Sequence, residues 1–355
     1  MRDFGKCTWK RFNDDVSTRE LYVFGAGARG GRIAELVNDG VYEWKIKAFI
    51  DNYAHGSKLW GYDILSPEVL KGKDPESYVI LVSLLYPGVI SSQLDDLGVV
   101  YCYSYFYLTE GGRSFIQQDL VQSEEVKTIR KMLQDEKSKW TFDRILEKRK
   151  NGTIDYSDIS ESGDEYFRSE FFTRTDNEVF LDGGAFDGDT IDGFHEWTKG
   201  KYREIYSFEA DPNMISVIKH KLYRWHDVHL IDKGLWDKKA TLSFAIDNKI
   251  MSSHISSINS ENTINIDCVS FEEEFGPEVP LSFIKLDIEG AEIQAINGMK
   301  NIIQKFRPKL AISIYHKPED LWEIPMLIHK LVPEYRLNMR HFGHNYFGTN
   351  LYATV

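Results

Sequence analysis

Three groups of residues in this chain have types and spacings suited to chemistry, and all three lie in its second half. The first is 179–190, VFLDGGAFDGDT. Val179, Phe180 and Leu181 make an apolar run suited to a buried strand; Asp182, Gly183 and Gly184 stop it, and Thr190 begins a segment with Ile191, Phe194 and Trp197 at helical spacing. Strand, tight glycine turn and helix at the head of an open α/β sheet frame a ligand crevice, because the carboxyl ends of the strands open there. Asp182, Asp187 and Asp189 crowd this turn around Phe186 and Gly188, and three carboxylates repel a pyrophosphate, whose usual host is bare backbone N–H at a helix N-terminus. A cationic ligand fits better. S-adenosylmethionine (SAM) carries an adenosine, a sulfonium and an ammonium, and no phosphate. Favourable placement at the helix dipole, worth about 0.3–1 kcal/mol per acid, accounts for Asp187 and Asp189 but not for Asp182 at the strand end.

The second group is 281–292, LSFIKLDIEGAE. Phe283, Ile284 and Leu286 read as strand, and Lys285, Asp287 and Glu289 alternate with them before Gly290 turns the chain into a helix. On an extended strand those three point to one side, where they are costly unless they pair or face a cleft. The expected arrangement faces the crevice; an internal salt bridge between Lys285 and one carboxylate is the competing one. The third group ends KLAISIYH, a strand over 309–316 that brings His316 to the same edge. Neutral imidazole can take a proton near pH 7, so His316 is the first candidate general base and Asp287 the second, against a satisfied strand-end histidine. Asp287, Glu289 and His316 are also metal-ligand types, but no helical ligand spacing accompanies them and no metal is expected.

Other elements must position these groups. EIYSFEAD ends a second strand at Glu209, 27 residues after Asp182, where a carboxylate can accept both ribose hydroxyls. Ala210 follows, and Pro212 opens a helix. VHLID, ending at Asp232, is a third strand, and the turn with Gly234 borders the adenine. Residues 241–246 suggest an additional strand, with Ser252 and Ser253 in a polar loop that can face a substrate. A helix over 324–331 and strands over 335–340 and 350–354 leave a terminal antiparallel pair joined through His341 and His344.

The first half carries a looser signal. Residues 1–18 read as a polar arm with Trp9 and Phe12 as aromatic anchors. LYVF runs into GAGARGG, with Gly25, Gly27 and Gly30 in a GxGxxG pattern, and IKAFI ends at Asp51, where a dinucleotide fold puts its ribose acid. Arg29 makes this loop friendlier to phosphate, so a nucleotide or sugar nucleotide is one reading and close helix–strand packing the other. YVILVSLL, 78–85, suits a strand buried on both faces, and 99–107 a last strand. The expected division is 1–18 arm, 19–110 small Rossmann-type domain, 111–164 helical connector and 165–355 catalytic domain. In the connector Val126, Ile129 and Met132 keep a three-residue spacing and 151–164 reads as an exposed loop. YFRSEFF, 166–172, is assigned to core packing, with closure over a ligand as the alternative.

Composition sets the outer bounds. The 355 residues suit two domains, and 42% hydrophobic with 28% charged residues is ordinary for a globular protein. A net charge of −12 without a long basic tract argues against nucleic acid or an anionic membrane as partner. Three widely spaced cysteines suggest neither a disulfide framework nor a metal knuckle, and a reducing cytoplasm is the simplest fit. The first residues lack the apolar core of a signal peptide, and no run reaches the ~18 apolar residues of a spanning helix. The oligomeric state is not legible.

Over about 165–354 the chain resembles the FkbM family of SAM-dependent methyltransferases, through YF at 166–167, FLDGGAFDGDT, SFEADP, GLWD and above all IKLDIEGAEIQAINGM. Against the general class I loop, acid-x-Gly-x-Gly-x-Gly, Asp182, Gly184 and Gly188 are kept and Phe186 stands at the middle glycine. The resemblance implies two Rossmann-like α/β domains, the second with the seven-stranded class I methyltransferase sheet and its terminal antiparallel hairpin. It implies that Asp182 and Gly184 line the methionine part of SAM, that Glu209 holds the ribose, and that Asp287 lies near the methyl-transfer centre. The expected cofactor pocket takes in Asp182, Gly183, Gly184, Phe186, Gly188, Glu209, Ala210, Asp232, Gly234, Asp287 and Glu289; the expected catalytic set is His316, Asp287 and Lys285. The first half, through GAGARGG, FID and GYDILSPEVL, looks like the small Rossmann domain of some sugar-modifying acyltransferases and methyltransferases, which implies a carbohydrate context. The expected activity is O-methylation of a hydroxyl on a sugar, glycan precursor or related metabolite. The alternatives are an NAD-dependent oxidoreductase using Gly25, Gly27, Gly30 and Asp51, for which the first half has no Tyr-x-x-x-Lys pair, and an inert carbohydrate-binding protein.

Overall fold

The computed structural model describes residues 9–84, 90–105, 124–151, 155–245, 254–255 and 263–355. They divide into two compact units, 1–118 with 146–154, and 119–145 with 155–355. The first unit is built on β1 (Glu20–Phe24), β2 (Ile46–Ile50), β3 (Lys58–Leu59), β4 (Tyr62–Leu65), β5 (Tyr78–Val82) and β6 (Tyr101–Ser104), in the order β3-β4-β2-β1-β5-β6. Its pairings are parallel except for the β3–β4 hairpin. Every residue of β5 is buried, as a continuous apolar run between neighbours on both sides demands. The expected polar arm is in part a helix, Trp9–Val16, because Phe12 packs fully buried against the rings of Trp44 and Tyr103.

In the second unit the main sheet runs β10 (Val228–Ile231), β9 (Glu204–Phe208), β8 (Val179–Gly183), β15 (Phe283–Leu286), β16 (Lys309–Ser313), β18 (Thr349–Thr354), β17 (Arg336–Phe342) and β7 (Ser160–Glu161). The first seven give the expected methyltransferase-like sheet: five parallel strands, then β18 antiparallel to β16 and paired antiparallel with β17. The eighth, β7, lies in the stretch read as an exposed loop. Its two residues pair with His341 and Phe342, and the Glu161 carboxylate reaches Lys137, Arg168 and Arg340. A polar two-residue strand held by charges has no periodicity to reveal it. A separate small sheet, β11 (Gly234–Leu235), β14 (Thr263–Val269), β12 (Ala240–Ala245) and β13 (His254–Ile255), holds the additional strand expected at 241–246 and an unexpected one, β14. Ser252 and Ser253 lie outside the described residues.

The aromatic core of this unit explains how its crevice is built. Phe180 of β8 stacks on Phe194 of the following helix, Asp189–Thr198, at 4.3 Å, and both are fully buried. Phe167 wedges among Phe180, Phe194, Trp197 and Phe283 at 5.3–5.7 Å. Burying one such ring stabilises by about 1.5–3 kcal/mol. The aromatic stretch 166–172 is therefore bolted into the core through Phe167 and Phe172, and Tyr166 is carried to the edge of β15.

Candidate active site

The turn after β8 is held from beneath. Asp182 and Lys285 are register partners on adjacent parallel strands, so their side chains share a face, and Nζ lies 3.2 Å from Asp182 Oδ1. The same ammonium donates to the carbonyls of Gly183 (3.2 Å) and Gly184 (2.6 Å). Asp182 is 0% and Lys285 1% exposed. Lys285 is thus in an internal salt bridge, with Asp182 of the neighbouring strand instead of a carboxylate of its own strand, and neither side chain is open to solvent. Burial disfavours a charged Lys285, and the Asp182 carboxylate overcomes that and holds its pKa above the ordinary value.

Gly184 has φ +82°, and a Cβ there would run into the Asp287 carbonyl oxygen, so only glycine lets the two strand ends approach. Phe186, at the middle-glycine position, adopts φ +47° without a glycine, and its N–H donates to Glu209 Oε2 at 2.8 Å. Glu209 Oε1 accepts from the N–H groups of Ala210 (2.8 Å) and Asp211 (2.7 Å). Burial lifts this carboxyl above its ordinary value, and the three amides oppose the rise. Gly183 and Gly188 face packing: a Cβ would strike Leu286 and Trp225, each at 2.8 Å. Gly234 likewise abuts Cys268 at 2.8 Å, and Asp232 is exposed. Asp187 pairs with Lys221 (2.8 Å), and Asp189 accepts from Thr190 N–H (2.7 Å), as acids at a helix start do.

Asp287 is the hub beside this turn. Its Oδ2 accepts from the Tyr166 hydroxyl (2.8 Å); its Oδ1 accepts from the Tyr315 hydroxyl (3.0 Å) and lies 3.3 Å from His316 Nε2. Glu289 Oε2 is 3.8 Å from that Nε2, and Glu292 Oε1 is 3.0 Å from His316 Nδ1. Glu289 lies beyond the end of β15, so strand alternation does not reach it; it sits at φ +56°. Against the desolvation of the ring, Glu292 and Asp287 hold His316 protonated well above the usual imidazole range. Against its own desolvation, Asp287 is held well below the usual carboxylate range, chiefly by His316 and then by Lys285 and Tyr166. The pairing favours the proton on His316 and the charge on Asp287. In sequence His316 is an isolated strand-end ring, and what the sequence does not show is Glu292, which reaches it from the next helix with 1% exposure.

Burial pushes three other carboxyls up to about 7. They are Glu289; Glu165, whose Oε1 accepts from Asn350 at 2.7 Å; and Asp320, which is further raised by Glu292. Sequence reasoning missed Glu165, Tyr166 as an Asp287 ligand, Glu292, Tyr315 and Asp320. The only available signals were their places beside YF, EGAE and YH.

The first unit's loop is also fastened. Gly25 has φ +107°, and a Cβ there would collide with Ser83 Oγ; a Cβ on Gly30 would collide with the Gly25 carbonyl. Asp51 accepts from Ala26 N–H (2.8 Å) with one oxygen and from Tyr53 (2.8 Å) and Ala54 (3.0 Å) with the other. Gly27 has open space around it, and Arg29 is half-buried.

Residues 182–346 match the family model described as the methyltransferase FkbM domain. The crystal structure of Methyltransferase FkbM from Methylobacillus flagellatus KT superposes with a TM-score of 0.75 at 20% identity, over 96% of this chain and 92% of that one, and so shares the fold. An rRNA methylase from Streptococcus thermophilus (TM-score 0.32, 13% identity, 53% of this chain and 90% of that one) and a putative methyltransferase from Streptococcus mutans in complex with SAH (0.30, 13%, 53% and 94%) score too low to bear on it. No curated protein matches the chain. Among the described residues no helix is long and apolar enough to cross a membrane. The FkbM methyltransferase domain match thus falls at residues 182–346, inside the second unit, and the strand order there agrees with it.

Proposed function

We propose that the C-terminal unit binds SAM across the turn at Gly184 and methylates a hydroxyl of a sugar, glycan precursor or related small molecule. One observation carries this reading: Glu209, Asp287 and Glu289 stand partly exposed around the glycine turn, while the ammonium groups nearest it, Lys285 and Lys221, are committed to Asp182 and Asp187. Such a rim favours a sulfonium and an ammonium over a phosphate. The residues fit that ligand. Gly184 keeps the turn flat against Asp287, and Glu209 Oε2, already oriented by the Phe186 amide, retains acceptor capacity for a ribose hydroxyl while Oε1 is taken by the amides of Ala210 and Asp211. SAM, when bound, supplies a methyl group on a cationic sulfur. The chain's part is to hold that group in line with an acceptor oxygen, the largest source of acceleration.

His316 enters this scheme as a cation that fixes Asp287, with Tyr166 and Tyr315 fixing its other directions. Proton acceptance passes to Glu165, a partly exposed carboxylate that burial brings up to about 7, the range in which a carboxyl can serve as base. The test is incubation of the full chain with methyl-labelled SAM and a panel of glycosides and sugar nucleotides. Alkali-stable label on a sugar hydroxyl supports the proposal, and transfer confined to amines or thiols contradicts it.

A further inference from the structure

The acidic rim contains a group of donors that SAM does not account for. His316 projects Nε2 toward Asp287 Oδ1 at 3.3 Å and Glu289 Oε2 at 3.8 Å, both beyond the 2.7–3.2 Å of an ordinary N–H···O bond. The ring is only 6% exposed. Behind it Glu292 Oε1 lies 3.0 Å from Nδ1, a close approach whose angle is not that of a hydrogen bond, and Glu292 is itself fixed by the N–H of Ile288 at 2.9 Å. One ligand atom each from Asp287, Glu292 and His316 lies within 4.8 Å of the others. Donors about 2.0–2.2 Å from one ion stand roughly 3–3.5 Å apart, a spacing that His316 Nε2 and Asp287 Oδ1 meet at 3.3 Å and that Glu289 Oε2 exceeds slightly at 3.8 Å.

A buried carboxylate behind the far nitrogen of a histidine whose near nitrogen meets acidic oxygens is the arrangement that orients an imidazole toward a metal. A second observation concerns the other oxygen of the same carboxylate: Glu292 Oε1 accepts from the N–H groups of Ile288 and Gly290, while its buried Oε2 has no hydrogen-bond partner among the described residues. The local charge points the same way. Asp287, Glu289 and Glu292 surround one imidazole, and a divalent ion replacing its Nε2 proton would balance them.

We propose that Asp287, Glu289 and His316 Nε2 form a divalent-cation site, with Glu292 orienting the histidine from behind. Two carboxylates and one imidazole, with the remaining positions open, suit Mn²⁺ or Mg²⁺ better than the sulfur-rich sets that select softer ions. Ion binding stands without the methyltransferase reading. Its use, to hold and acidify an acceptor hydroxyl in the open positions, rests on that reading.

The test uses the metal-stripped full chain with Mn²⁺ alone and no SAM, following the loss of the free-ion electron paramagnetic resonance signal. One Mn²⁺ per chain and nitrogen modulation in the pulsed spectrum are expected. E289Q and H316A should each weaken binding at least about tenfold, E292Q about 10–100-fold, and H316A should abolish the modulation. Absence of bound Mn²⁺, or binding that E289Q and H316A leave unchanged, overturns the site. Should H316A unfold, as circular dichroism will show, E289Q decides, because its side chain is 37% exposed and the change keeps its size. Calorimetry with SAM on the metal-free protein reports separately on the donor site, so failure of one reading is distinguishable from failure of the other.

Discussion

The two glycine turns of this protein are braced by the same device made from different chemistry. In each, an acid ending the next strand accepts a loop N–H at 2.8 Å: Asp51 from Ala26 and Glu209 from Phe186. A donor on the neighbouring strand's side also reaches two consecutive carbonyls of the turn. In the first unit that donor is the Ser83 hydroxyl, on Phe24 and Gly25 (3.1 and 2.8 Å); in the second it is the Lys285 ammonium, on Gly183 and Gly184 (3.2 and 2.6 Å). A neutral hydroxyl suffices to hold such a turn. The charged version requires Asp182 as counter-ion at full burial, a costly arrangement for stability alone. The charge in the second unit is an internal pair beneath the turn, so the comparison sets a turn held by one hydroxyl beside a turn held by a buried ion pair.

The largest predicted effect breaks that difference directly. K285M leaves Asp182 buried and unpaired, and urea unfolding of the second unit should show a loss of about 3–5 kcal/mol, while D182L in the same background recovers most of it. S83A in the first unit should cost only about 0.5–1.5 kcal/mol. Next, G184A places a methyl into the Asp287 carbonyl and should cost about 1–3 kcal/mol and abolish SAM binding by calorimetry, whereas G25A strains the first turn and leaves SAM affinity unchanged. A smaller effect follows from the paired acids: E209Q should weaken SAM about tenfold, equivalent to ~1.4 kcal/mol, and D51N should not.

The smallest effect is a difference in pH response, read by amide exchange of each unit. Lys47, with help from Tyr22 and Lys73, brings Glu20 in the first unit down to about 2, so its stabilisation is complete above the ordinary carboxyl pKa and is lost as pH falls from about 4.5 toward 2. In the second unit burial raises Glu165, Glu289 and Asp320 to about 7. A raised acid opposes folding increasingly as pH climbs from about 4.5 to 7, so protection of the second unit should decline across that window while that of the first stays level. His316 acts in the same direction at higher pH: its raised pKa stabilises fully below the unfolded value and is lost as pH passes the folded one. Equal profiles for the two units contradict this account.

Much of this was legible in the sequence, and the gaps have physical causes. Glycine at 184 and proline at 212 leave few backbone choices, so the turn and the helix Pro212–Lys221 could be read directly. Alternation put Lys285 on a side but could not name its neighbour; the parallel register with Asp182 did. The protonation state of His316 depends on Asp287 and Glu292, from the stretch between β15 and the helix after it, and a lone histidine just past the end of β16 carries no trace of them. Likewise β7 is too short and polar to show a period, and Phe12 is one buried ring in an otherwise polar helix.

The most direct test of the central claim is titration of the full chain with SAM and with its demethylated product, S-adenosylhomocysteine, by calorimetry, beside NADH and a UDP-sugar. One SAM bound per chain, weakened by E209Q and untouched by D51N, is the predicted result. No heat with either sulfur ligand, or SAM binding that follows Asp51 instead of Glu209, would contradict it.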